Sequence, residues 1–212
     1  MDTNRDHTAE QSKPLPGFSE CPELQTFLEH FTQSTGIPIS ILNEKIDVIT
    51  SLSSQTHLSD LFATSNTAKK HLKKILRKII GGLDEKQAGS IGTLFPGVHA
   101  GILTIPFADS KNYLLAGPVL FSELDAEIYP SQAKKYKIQT EDFLRLLYVL
   151  PVISEEQFKV YFNLLQGTVV FLEAEPKEGE IKGEAYHPKG GKVNLAQLLN
   201  NIESINSQHF TE

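Results

Sequence analysis

Residues 98–121 read VHAGILTIPFADSKNYLLAGPVLF. Two apolar runs flank the polar, turn-forming segment Ala108-Asp109-Ser110-Lys111-Asn112, which is the pattern of a β-hairpin. The two strands carry one histidine, no cysteine and no carboxylate before Asp109. Aliphatic, aromatic and hydroxyl side chains of this kind hold a small molecule or fill a core. They offer little with which to transform a substrate, so the hairpin points to a sensing or binding module.

Working outward, Pro22 suits a first helical turn, and Leu24, Phe27, Leu28 and Phe31 recur at helical spacing up to Gly36. Two short extended runs, IPISIL (37–42) and DVIT (47–50), surround Asn43-Glu44-Lys45 and predict a second hairpin. TAKKHLKKILRKII (67–80) predicts an amphipathic helix, with Leu72, Ile75, Leu76, Ile79 and Ile80 in one stripe and Gly81-Gly82 at its end. SIGTLF (90–95) predicts a further strand, and residues 140–150 a short helix that Pro151 terminates. Ser154, with Gln157 three positions on, starts a long helix that is apolar on more than one side. The expected order is an antiparallel sheet with helices to one side, an α+β arrangement of the PAS- and GAF-like kind with a long closing helix.

At the ends, residues 1–17 are polar and interrupted by Pro14 and Pro16, and are expected to be a disordered lead-in. The expected domain spans residues 18–173. Residues 174–192 are rich in Gly, Pro and charge and read as a linker, and residues 193–212 as a helix leading to an output domain beyond Glu212.

Composition excludes several function classes. The 212 residues are 40% hydrophobic, enough for one substantial core, and the formal net charge of −6 argues against a free-standing nucleic-acid binder. No apolar run approaches the roughly 20 residues needed to cross a bilayer, and the first residues lack the apolar core of a signal peptide. Cys21 is the only cysteine, so no internal disulfide or cysteine-based zinc site forms, and a cytoplasmic setting is expected.

No nucleophile elbow, Walker loop, dinucleotide fingerprint or HExxH motif occurs, and the seven histidines lack ligand-like spacing. No catalytic residues, metal or cofactor are therefore expected, and the chain reads as no enzyme. The lysines of 67–80 read as the solvated face of a core-docked helix; a nucleic-acid surface would interleave aromatics.

The candidate ligand site is a cavity between the sheet and the middle helices, lined by Ile102, Thr104, Tyr113 and Leu115 with His99 near its mouth. Strand alternation puts Ile102 with Thr104 and Tyr113 with Leu115. Whether the two pairs share a face depends on a register the sequence leaves open. A largely apolar small molecule with one or two polar handles would suit such a cavity. A homodimer interface is expected on the closing helix, at Phe158, Tyr161, Val170 and Phe171.

Three stretches resemble a known family. LQTFLEHFTQSTGIPISIL (24–42) is similar to the opening of PocR-type sensory domains, AGILTIPFADSKNYLLAGPVLF (100–121) to their central hairpin, and LRLLYVLPVISEEQFKVYFNLL (144–165) to their closing helix. The resemblance, over about residues 24–172, implies a ligand-sensing, dimerising N-terminal domain of a bacterial AraC-family transcriptional regulator. DNA would then be met only through a helix-turn-helix domain after Glu212. Many PocR-type domains carry cysteines in the helical middle and before the hairpin; these regions here have none, so metal- or thiol-dependent sensing does not carry over. The alternatives are a sensory domain of a histidine kinase and a ligand-free dimerisation or interaction module.

Overall fold

The hairpin strands form the centre of the sheet, and everything else is placed by how completely they are buried. The structure, a computed structural model, describes residues 22–52, 65–83, 89–105, 111–123 and 127–174. The expected lead-in, linker and final helix, Cys21, and the hairpin turn at 106–110 lie outside the described residues.

The elements are α1 (Pro22–Thr35), β1 (Ile39–Leu42), β2 (Val48–Ser51), α2 (Asn66–Gly81), β3 (Gly89–Phe95), β4 (Val98–Ile105), β5 (Asn112–Leu120), α3 (Tyr129–Tyr136), α4 (Thr140–Tyr148) and α5 (Glu155–Ala174). The five strands form one antiparallel sheet in the order β2-β1-β5-β4-β3. Local signals set the ends of these elements. Gly36, at φ 70°, stops α1 and donates its N–H to the Thr32 carbonyl. Ser65 caps α2 by accepting from Thr67 N–H at 3.2 Å, and Ser154 caps α5 by accepting from Gln157 N–H at 3.1 Å.

The fold is α+β with a long closing helix, but the expectation of helices to one side is corrected: they cover both faces. α1 and α5 place Phe27, Leu28, Phe31, Phe158, Tyr161 and Leu165 against Ile39, Ile41, Leu103 and Leu114. On the other face α2, α3 and α4 place Leu72, Leu76, Tyr136, Phe143 and Leu147 against Leu42, Ala100, Ile102 and Leu115. The physical reason is visible in β5, where eight of nine residues are buried. Buried strands of this kind read as apolar runs, where a half-solvated strand would alternate.

α5 lies close to the sheet because of glycine. A Cβ at Gly101 would collide with the ring of Phe162, and one at Gly89 would meet Leu103 and the same ring. Without that space α5 would stand off β4. Gly117, at φ 114°, precedes the cis-Pro118 bond next to the irregular pairing between His99 and Gly101. None of the described helices is long and apolar enough to cross a membrane.

Candidate functional site

The β4–β5 register answers the question that the sequence left open. Ile102 pairs with Leu115 and Thr104 with Tyr113, so the four side chains share the face toward α2–α4. Ile102 and Leu115 are fully buried inside the core there, while Thr104 and Tyr113 are half-buried. None of the four lines either of the two grooves described below. His99 does not join them. It stacks on Phe121 at 3.9 Å and 8°, and Phe121 packs on Phe158 of α5. His99 therefore lies on the opposite face, with Nδ1 3.3 Å from Thr93 Oγ1. Strand parity carried this signal, since positions 99 and 102 fall on opposite faces.

The predicted dimer residues divide as well. Phe158 and Tyr161 are 0% and 1% exposed within this one chain, so they belong to its own core and cannot meet a partner. Val170 is 47% exposed and Phe171 half-buried. The outward face of α5 instead carries Val160, Asn163, Gly167 and Val170. Their spacing of three, four and three residues is that of a coiled-coil seam.

The polar groups that converge do so elsewhere, in a groove of about 280 Å³ between α2, the end of β3 and α3. Its lining includes His71, Thr93, Phe95, Gln132, Lys135 and Tyr136. The local sequence explains how these meet. The capping hydroxyl of Ser65 donates to the Tyr136 carbonyl at 2.6 Å, tying the start of α2 to the end of α3. One and a half turns on, His71 Nε2 meets the Tyr136 hydroxyl at 3.0 Å. Phe95 packs behind this pair, 4.9 Å from the Tyr136 ring and nearly parallel to His71 at 6.0 Å, and both Phe95 and Tyr136 are almost wholly buried.

The electrostatics of the groove are one-sided. Burial holds His71 below the ordinary imidazole range, and Lys135 and Lys74 lower it further. Burial also raises the Tyr136 phenol, so its proton stays in place near neutral pH. Lys135 Nζ lies over the Tyr136 ring, 5.5 Å from its centroid. Gln132 Oε1 is buried without a hydrogen-bond partner. A buried acceptor left unmade costs about 1–3 kcal/mol. A second groove, of about 380 Å³, lies between Lys137, Gln139, Asp142 and Arg145.

Sequence reasoning missed this groove because its members come from residues 71, 93–96 and 132–136, which only the fold brings together. Among the described residues no three His, Cys, Asp or Glu side chains gather to hold a metal ion.

No curated protein matches the sequence. Residues 110–175, which run from the start of β5 through α5, match the family model of the sensory domain found in PocR, and it is this sensory domain that the stretch resembles.

Proposed function

We propose that the chain is a non-catalytic sensory domain whose ligand enters the α2–β3–α3 groove, and that it dimerises through the outer face of α5. The observation that carries the sensing reading is the match of residues 110–175 to the model of the sensory domain found in PocR, and the groove is where polar side chains, His71, Gln132 and Lys135, come together. A few convergent polar groups beside apolar surface are how small-molecule sites orient their ligands. In this reading the domain stands at the N-terminus of a cytoplasmic AraC-type regulator. Ligand binding would shift the population of two α5 arrangements, and DNA would be met through a separate domain.

A thermal-denaturation screen of the chain against small metabolites tests this. A ligand at a hundredfold excess over its Kd should stabilise the protein by about 2.7 kcal/mol, and Gln132→Leu should abolish the gain while the unliganded protein stays folded. Stabilising compounds that ignore Gln132→Leu and Lys135→Gln would remove the groove from the reading. A second reading, a ligand-free dimerisation or interaction module, draws on the solid packing of Ile102 and Leu115 where a cavity was expected.

A further inference from the structure

The β1–β2 turn breaks a local rule. Its loop is Glu44-Lys45-Ile46, closed by Asn43 N–H donating to the Asp47 carbonyl at 3.0 Å and Ile46 N–H to the Asn43 carbonyl at 2.8 Å. Three-residue hairpin loops commonly end on a residue in the left-handed conformation, a place that glycine fills without strain. Here that residue is Ile46, at φ 61°. The other described non-glycine residue with positive φ, Lys137, closes α3, where this conformation is common. For a β-branched side chain inside a hairpin loop it is costly.

Two features hold Ile46 in place. Its side chain is 2% exposed and belongs to the core that includes Leu42 of β1 and Ala68 and Leu72 of α2. On either side of it in the chain, Lys73 of α2 grips the turn: Nζ donates to the Lys45 carbonyl at 3.3 Å and to the Asp47 carboxylate. The Lys73 side chain is only 19% exposed, so this contact is better shielded from water than an ordinary surface ion pair. Asn43 Oδ1 accepts from Asp47 N–H at 2.9 Å and completes the turn. Strained backbone persists only where its surroundings over-determine it, and such residues gather at elements that switch. We propose that the β1–β2 turn is a latch on α2: Lys73 is the positioning residue that keeps Ile46 in the core, and the turn opens locally, relaxing Ile46, while the sheet stays folded. The latch does not rest on the groove as a ligand site.

Native-state hydrogen exchange of the intact chain, read by NMR at low urea concentrations, tests this. The Ile46 and Asp47 amides should exchange through an opening that is insensitive to urea, since a turn exposes little surface. Central β5 amides such as Leu114 should accelerate with urea. Lys73→Met should speed exchange at Ile46 and Asp47 about tenfold, the worth of a hydrogen bond to a charged group. Lys69→Met, one turn earlier on α2, should change them by less than about twofold. Glycine ordinarily costs more backbone entropy than alanine, but at position 46 the order should reverse. Turn amides should exchange about fivefold more slowly in Ile46→Gly than in Ile46→Ala, because glycine accepts this φ freely. The latch is overturned if Ile46 and Asp47 follow the urea dependence of β5, or if Lys73→Met acts no more strongly than Lys69→Met. It is overturned equally if Ile46→Ala opens no faster than Ile46→Gly.

Discussion

The Tyr136 hydroxyl lies 3.0 Å from His71 Nε2, so a residue at the end of α3 fixes the ring orientation of one on α2. The pair makes the wall of the groove a joint between two helices that are otherwise held by Ser65 and by packing. Because burial disfavours the charged imidazole at this position, the pair is sensitive to pH.

Acid should therefore weaken the fold in a defined window. His71 and His99 are both lowered, burial being the largest cause in each. A lowered imidazole is neutral in the native state while the unfolded chain takes up a proton near the ordinary pKa of about 6.5. Their contribution is thus intact above that value and is lost as pH falls through the lowered native values. Urea midpoints should drop as pH falls below about 6.5, and His71→Gln should flatten that drop. Asp47 and Glu155, lowered by Lys73 and Lys159, are exposed carboxylates and act only in a more acidic range.

Gly101→Ala should destabilise the protein by about 1–3 kcal/mol, the usual cost of overpacking, because the new methyl meets the Phe162 ring. Adding Phe162→Leu should recover part of the loss, since residues in contact are not additive. Chemical denaturation of the two single variants and the double variant measures the coupling. Independent, additive effects would contradict the contact.

Ile102→Ala should cost about 2–5 kcal/mol, since its side chain is fully buried between β5 and the middle helices. Thr104→Val, half-buried on the same face, should change stability by less than about 1 kcal/mol. Comparable small effects at both positions would mean that Ile102 lines an open cavity after all.

Val160→Glu with Val170→Glu should yield monomers in sedimentation at concentrations where the wild type dimerises, because charges would enter a coiled-coil seam. Both positions are about half exposed in the single chain, at 48% and 47%, so the variant should fold normally. Phe158→Glu, by contrast, should abolish folding. A wild-type chain that sediments as a monomer at high concentration would end the dimer proposal.

What was legible in the sequence followed short-range physics. The apolar runs on either side of Asp109 became β4 and β5, Leu72 and Leu76 became the buried seam of α2, and the Ser154–Gln157 spacing became a real cap. α3 was missed although Tyr129, Ala133 and Tyr136 recur at helical spacing and are all buried; two lysines and a short length hid the pattern. Dimer residues were chosen by apolarity alone, which does not distinguish Phe158, buried in its own core, from Val160, facing out. The groove was not legible at all, because His71, Thr93 and Gln132 approach one another only through the packing of α2 and α3 against the edge of the sheet.

The Phe162 ring over Gly89 and Gly101 has a mechanical consequence. A flat ring seated over two glycines fixes a register, since a side chain at either position would collide with the ring or with Leu103. At its N-terminal end α5 is also pinned, by the Pro151 carbonyl accepting from Leu120 N–H and by Ile153 N–H donating to the Leu120 carbonyl. A helix tied at one end and seated in a glycine socket near its middle is fixed at two points, which set its direction across the sheet as well as its distance from it.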